Sequence, residues 1–590
     1  MRLKLFKGIL CLSINLLLSN FQAYSQHPNI IIIVSDDQGW GDLGFNGNTS
    51  VATPNLDRLA KEGTILNKFY VSPVCSPTRA ELLTGRHHVR SGVSSTSTGK
   101  ERLDLDETTI ADILKKAGYQ TAAYGKWHNG AQAPYHPNSR GFDDFYGFCS
   151  GHWGNYFEPV LEHNGEIVKG SGFIADDLTD HGLAFIEKNK KSPFFLYLPY
   201  NTPHSPMQVP EQWWKKYANK NINQHGTKAD KEEIDHTRAA LALSENIDWN
   251  VGRIMQKLEN LKLSNNTIII YFSDNGPNGN RWNGGMKGIK GSTDEGGIRS
   301  PMIISWKKKL PANQKIDKIT SAIDLLPTLC DLANINYSSP KQLDGKSLKP
   351  LLQNQKINWP DRILYHYWQN KLSVRNQKYR LSDTDQLFDI EQDPNQLKDI
   401  AKLNIEEYTK LKKAKTLWIK DVLSELPPKD LRPFIIGHPS LKTTQLPAGE
   451  AIATGNIKPS NKYPNDSYLT NWINVKDQIY WDVEVAEGGD FEIEIYYTCP
   501  EKDIGSTFSL TFANSVIQGK ISETNDSPLK GMEHDKSPRI ESYVKDFKPL
   551  KLGQIHFEKG SGRLILKANK ISSTQVMDFK MLTLKRINEF

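Results

Sequence analysis

Four times in the first half of the chain, a run of branched or aromatic apolar residues ends in a cluster of polar ones. The first is Pro28-Asn29-Ile30-Ile31-Ile32-Ile33-Val34, followed by Ser35-Asp36-Asp37-Gln38-Gly39. Residues 120–124 run into Gly125-Lys126-Trp127-His128, residues 194–198 into Asn201-Thr202-Pro203-His204, and residues 267–272 into Ser273-Asp274-Asn275-Gly276. Continuous apolar runs of this length are what buried parallel strands look like in sequence. Helical patterns separate them: Pro54–Glu62 with Thr53 as N-cap, residues 108–117 closed by Gly118, residues 177–188, and the long amphipathic stretch 231–261. Alternation of this kind predicts a three-layer α/β sandwich around a mostly parallel sheet. In such sheets ligands bind along the carboxyl edge, so the four polar clusters should converge in space. The aromatic, glycine-rich stretch 135–157 reads as a long surface loop beside that edge.

A further strand-like run, residues 64–71, leads into Pro73-Val74-Cys75-Ser76-Pro77-Thr78-Arg79-Ala80-Glu81-Leu82-Leu83-Thr84-Gly85. Pro77 suits a first helical turn and Gly85 a stop, which places Cys75 at the N-cap of a short helix. Free backbone N–H groups and the positive end of the helix dipole would then face a tetrahedral anion such as sulfate or phosphate, with Arg79 one turn on. Asp36, Asp37, Asp274 and Asn275 supply hard oxygen donors from two strand ends. These suit Ca2+, with Mg2+ second, and no His/Cys set competes for zinc. Taken alone, each pair also reads as a turn signal.

Cys-x-Pro-x-Arg with a following Thr-Gly resembles the signature of type I sulfatases. The resemblance runs from Pro28 to about Leu403 and includes Asp344-Gly345-Lys346-Ser347-Leu348 and Leu387-Phe388-Asp389. It implies an alkaline-phosphatase-like fold and a Cys75 oxidised by a formylglycine-generating maturation enzyme to an aldehyde, whose hydrate is the nucleophile. It implies a calcium ion held by Asp36, Asp37, Asp274 and Asn275 together with residue 75, and Gln38 nearby but dispensable. It further implies sulfate clamps at Lys126 and Lys290, Arg79 holding the nucleophile, His128 assisting the aldehyde's hydroxyl, and His204 at the leaving oxygen. Two lysines compete in Met286-Lys287-Gly288-Ile289-Lys290-Gly291; the family's Lys-Gly and Glu-Gly-Gly-x-Arg pattern selects Lys290 and leaves Lys287 as a substrate contact. The implied reaction is hydrolysis of a sulfate ester. The alternatives are a phosphate mono- or diester hydrolase on the same scaffold and a non-catalytic binder of sulfated glycans. A two-zinc phosphatase would need His/Asp ligands that these strand ends lack.

Residues 1–25 read as a secretory signal peptide: basic residues, an apolar core at 8–18, and Ala23-Tyr24-Ser25 before the cleavage point. The apolar core is shorter than the ~20 residues of a membrane span, and no other segment reaches that length. An exported, periplasmic or secreted protein is expected, with no integral span once the signal is removed. The formal net charge is +7, of which Arg2, Lys4 and Lys7 lie in the leader. The remaining excess is too small to argue for nucleic acid. Cys75, Cys149, Cys330 and Cys499 are too widely spaced for a disulfide framework or zinc site.

The expected organisation is a catalytic core over residues 26–335, a smaller antiparallel-sheet subdomain over 336–430, an irregular linker over 431–448, and a β-sandwich over 449–590. The last segment alternates with period two at 479–485, 490–497, 507–512, 553–558, 563–568 and 576–584. It resembles the jelly-roll carbohydrate-binding modules appended to polysaccharide enzymes. Tyr468, Trp472, Tyr480 and Trp481 are stacking candidates there, with core packing the favoured role. Together these features point to a sulfated poly- or oligosaccharide substrate: algal ulvan or a carrageenan-type galactan first, glycosaminoglycans second. Tyr135, His136, His152, Trp153, Arg281 and Trp282 are candidate sugar contacts.

Overall fold

The computed structural model describes residues 27–355 and 359–587. The expected signal peptide lies outside the described residues. Among them, no helix is long and apolar enough to cross a membrane.

Strand β1 (Asn29–Ser35) is buried along its whole length. Successive side chains of a strand point to opposite faces, and β1 shows this directly. Ile31 and Ile33 join one core with residues of the helices Pro54–Glu62, Ile174–Lys188 and Ile234–Asn260. Ile30, Ile32 and Val34 join a second core with the helices Cys75–Thr84, Ile110–Lys116 and Leu325–Leu332. The run is apolar throughout because both its faces are covered.

The remaining strands of this sheet are β2 (Thr64–Tyr70), β3 (Gln120–Lys126), β4 (Asp144–Phe148), β5 (Val160–His163), β6 (Glu166–Lys169), β7 (Phe194–Pro199), β8 (Thr267–Ser273), β9 (Arg299–Ser300), β10 (Met302–Trp306) and β11 (Gln314–Ser321). Their order is β11-β2-β10-β8-β1-β7-β3-β4-β5-β6, with β9 against β2. The five strands β8-β1-β7-β3-β4 are parallel. The flanks add antiparallel strands to this mostly parallel sheet: β10 is antiparallel to both neighbours and β4-β5-β6 are antiparallel, while β11 pairs parallel with β2. The β5–β6 turn is Asn164-Gly165, both at positive φ (51° and 87°), which suits a tight hairpin and reverses the chain locally.

Three local expectations are corrected. Thr53 does not cap its helix through the side chain, because its hydroxyl accepts from the Gly44 amide (2.8 Å) and donates to Asp57 (3.0 Å). Cys75 is the first helical residue, and the extended Val74 precedes it. Residues 135–157 are not a surface loop: they include β4, and Tyr135, Phe142, Phe145 and Tyr156 are buried. Their aromatic rings fill the core, Phe142 stacking on Phe195 and Tyr197.

Strands Leu364–Trp368, Lys371–Arg375, Tyr379–Leu381 and Leu387–Asp389 form a small antiparallel sheet that the helix Ile405–Asp421 covers. The C-terminal part folds into two six-stranded sheets around one core. The segment 431–448, expected as a linker, supplies two of their strands, Phe434–Ile436 and Thr443–Pro447, paired to Gln478–Val485 and Asp578–Arg586. Both are short and flanked by proline, which hides their alternation. Tyr468, Trp472 and Trp481 are buried in the sandwich, whereas Tyr480 lies under the Arg563 guanidinium at 4.6 Å.

Candidate active site

Ser35 and Ser273 pair at the carboxyl ends of β1 and β8, so Asp36-Asp37 and Asp274-Asn275 emerge side by side. Asp37 turns through positive φ (63°), and its amide donates to Asp274 Oδ1 at 3.3 Å. All four side chains are fully buried. Asp36 Oδ2 accepts from Lys126 Nζ at 2.6 Å, and Asp37 Oδ1 from Asn275 Nδ2 at 2.8 Å. Asp36 Oδ1 and Asn275 Oδ1 have no hydrogen-bond partner. Buried polar atoms are normally satisfied, so these two orphaned oxygens, among three carboxylates, fit a hard divalent cation. Burial and the neighbouring Asp36 push the Asp274 carboxyl up to about 6, against the opposing pull of Arg79 and Lys126. Gln38 turns away, bonded to Ser35, Ser244 and Tyr271.

The ten residues of the Cys75 helix are all buried. The Cys75 thiol lies within 4.8 Å of carboxylate oxygens of both Asp36 and Asp274. Burial outweighs Lys126 and Lys290 and pushes this thiol up, leaving it a protonated, weak nucleophile. Arg79 lies one turn on, on the same helix face. Its Nε and Nη2 both donate to Asp274 Oδ2 (3.1 and 2.7 Å), and its Nη1 to the Lys126 carbonyl (2.7 Å).

Lys126 ends β3. Gly125 before it has φ 138°, and a Cβ there would lie 2.1 Å from the Pro199 carbonyl oxygen, so glycine lets β3 close on β7. His128 Nε2 lies 2.9 Å from the Thr96 carbonyl, which can only accept, so Nε2 carries the hydrogen. Its Nδ1 is buried without a partner, and burial together with Lys126 holds the ring well below the usual histidine range. Lys290 Nζ lies 2.8 Å from Asp37 Oδ1 and 2.9 Å from Oδ2. His204 Nε2 lies 3.5 Å from Asp37 Oδ2, and burial pushes its ring down to about 4. Burial tends to raise Asp37, but His204, Lys290 and Asn275 outweigh it and keep that carboxyl below the ordinary range.

The expected site residues therefore converge on one spot, including Lys290, while Lys287 Nζ instead lies over the Phe388 ring. Of the candidate sugar contacts, His152 is at the site, stacked 6.0 Å from His204, with Nε2 buried and unpartnered. Trp153 stacks on Phe148, and Arg281 is bonded to Asp42 and the Asp37 carbonyl. Trp282 packs 6.4 Å from Trp40. Tyr135 packs under Arg102, and His136 is bonded to Glu162 at 2.6 Å. Sequence reasoning missed His236, at the start of the long helix, whose ring a Cβ on Gly279 would meet at 3.1 Å. Burial, and after it Arg281, pushes its ring down to about 3. It sits outside every strand-end cluster, so no local signal marked it.

The sulfatase family profile matches residues 28–335, and that of the N-sulphoglucosamine sulphohydrolase C-terminal region matches residues 290–422. Mus musculus N-acetylgalactosamine-6-sulfatase is 34% identical over 384 residues, 59% of this chain and 70% of its own. The solved structure of Ps i-CgsB in complex with k-i-k-neocarrahexaose is similar at TM-score 0.60 and 32% identity, over 67% of this chain and 93% of that one. A solved chain from the metabolism of multiple glycosaminoglycans by Bacteroides thetaiotaomicron is similar at TM-score 0.56 and 26% identity, covering 68% and 100%. With a buried carboxylate cluster, an anion-ready helix start and three cations gathered on one sheet edge, and with a profile match over more than half its length, this chain is an enzyme of the sulfatase family.

Proposed function

We propose that this sulfatase removes sulfate from a sulfated carbohydrate, a carrageenan-type or ulvan-type algal polysaccharide or its oligosaccharides, using formylglycine made from Cys75 and a bound calcium ion. The observation that carries this reading is the position of the Cys75 thiol, at the helix start and against the carboxylates of Asp36 and Asp274. As a buried thiol, residue 75 is a poor nucleophile; converted to an aldehyde, it would supply the hydrate hydroxyl that attacks sulfur. Asp36, Asp37, Asp274 and Asn275 would hold the calcium ion, which would supply positive charge to the sulfate oxygens.

The chain's own groups do the rest. Arg79 ties the nucleophile's helix to Asp274 and to the Lys126 carbonyl. Lys126, against Asp36, and Lys290, against Asp37, would take up charge on the transferring sulfate. His204, whose Nδ1 hydrogen is held by the Ser205 carbonyl, would be charged once the negative charge of the bound sulfate ester raises its ring from its low value of about 4. It would then give its Nε2 proton to the departing sugar oxygen, and His128 Nδ1, the ring's hydrogen-free nitrogen, would receive the hydroxyl proton. Support for a galactan comes from the carrageenan hexasaccharide bound to the 32%-identical neighbour, and for a glycosaminoglycan from the N-acetylgalactosamine-6-sulfatase relative.

The test is sulfate and phosphate release by the matured protein from carrageenan, ulvan and glycosaminoglycan oligosaccharides and from phosphodiesters. Mass analysis should show an aldehyde in place of the Cys75 thiol, and Cys75→Ser should abolish release. Sulfate from one glycan class is the expected result. Phosphate without sulfate would overturn the substrate reading, and full activity in an unconverted protein would overturn the nucleophile.

A further inference from the structure

The C-terminal sandwich lies beyond residue 422, where the matched family profiles end, yet it touches the loops that carry the active-site histidines. The Gly154 amide donates to Asp466 Oδ2 at 2.6 Å, and Arg539 donates to the Gly154 carbonyl at 2.7 Å. Gln208 accepts from the Tyr156 amide at 2.6 Å and donates to the Gly531 carbonyl at 2.8 Å. Tyr156 in turn donates to the His204 carbonyl at 2.9 Å. The 149–157 stretch and the segment after His204 are thus strapped to the sandwich.

Asn465 reaches the His128 side of the site. Its Nδ2 donates to the Thr96 carbonyl at 3.0 Å, the same oxygen that His128 Nε2 engages at 2.9 Å. A carbonyl has two lone pairs, so one oxygen serves both donors. Gly151 makes room for the pair: a Cβ there would lie 2.1 Å from Asn465 Nδ2 and 2.6 Å from His128 Nε2. Thr96 belongs to Ser94-Ser95-Thr96-Ser97-Thr98-Gly99, six small or polar residues with no large apolar side chain to anchor them. Such a loop is held by its hydrogen bonds alone.

We propose that Asn465, from the C-terminal sandwich, is a positioning residue for His128: it pins the Thr96 carbonyl that holds the imidazole by Nε2, and so leaves Nδ1 open to receive a proton. The sandwich then completes the active site and is not a detachable carbohydrate-binding module. This inference rests on the reading of His128 as proton acceptor.

The experiment uses the full, matured chain and a nitrophenyl sulfate, a substrate with no sugar chain to lie on the sandwich. Asn465→Ala should lower kcat roughly tenfold with KM within about twofold, because the loss is one of orientation and not of sulfate binding. Asn465→Asp, which keeps the shape but loses the N–H donor, should do the same. Gly151→Ala, which displaces both partners, should reproduce the effect. Melting temperatures near that of the parent protein would show that the fold persists. Unchanged kcat in the Asn465 variants beside a crippled His128→Ala would overturn the inference alone, as would a loss confined to polymeric substrate. A fully active His128→Ala would overturn the reading beneath it, and the inference with it.

Discussion

Replacing Arg79 with methionine tests the charge balance on which the site is built. Asp36, Asp37 and Asp274 are matched by Arg79, Lys126 and Lys290, and the Arg79 and Asp274 side chains are wholly inaccessible. Methionine fills similar space but leaves Asp274 Oδ2 without its two donors and the cluster one negative charge in excess. Removing one partner of a buried pair costs about 3–5 kcal/mol. For a cooperative unit of roughly 400 residues, at ~2.1 cal/mol/K of unfolding entropy per residue, that is a fall in Tm of about 4–6 °C. The fall should be largest in chelator. Calcium, held as proposed above, would supply the missing positive charge, so the rise in Tm on adding it should be greater in Arg79→Met than in the parent. Arg79→Lys, which keeps the charge but not the two-pronged geometry, should fall between the two. Scanning calorimetry of the three proteins, with chelator and with calcium, reads all of this. A variant that melts with the parent in chelator, or gains no more from calcium, would refute the reasoning.

The other expectations concern single groups. His204→Asn should lower kcat on a sugar sulfate by roughly 10²–10⁴ but on nitrophenyl sulfate by less than about tenfold, because a nitrophenolate leaves without a proton; equal losses on both would remove His204 as the acid. Lys290→Met should lower kcat/KM by about 10²–10³ on every sulfate ester alike, measured as sulfate release, since it deletes a charge facing the transferring group whatever the sugar. Glu450, which accepts from Gln132 at 2.6 Å where the sandwich meets the catalytic domain, is pushed up to about 8 by burial and by Glu101. Its folded value lies above its unfolded one, so its contribution is present below about 4.5 and is lost as pH rises through about 8. Raising pH from 6 to 9 should therefore lower Tm more in the parent than in Glu450→Gln, and parallel pH curves would refute this.

The alternation of strand and helix was legible because strands buried on both faces leave continuous apolar runs, as in Ile30 to Val34. The polar clusters were legible because each follows such a run directly, and strand direction alone sends them to one edge. Lys290 was separated from Lys287 by a family pattern, and geometry places it against Asp37. Local signals failed where a residue had a competing partner or a distant one. Thr53 has the chemistry of a cap but spends its hydroxyl on Gly44 and Asp57. Residues 135–157 have loop-like composition, yet their rings meet those of β7, more than fifty positions later. Period and composition report how much of a segment is buried, but not against what.

By itself, then, the sequence determined the layered α/β core, the edge on which its polar clusters lie, and the Cys75 helix, each through side chains within a few positions of one another. Tertiary structure alone decided that the sandwich closes on the 149–157 stretch, that Asn465 and His128 share one carbonyl 369 and 32 positions away, and that His152 stacks on His204. Contacts over such separations leave no period in either segment, because each depends on surfaces that exist only after both domains have folded and met.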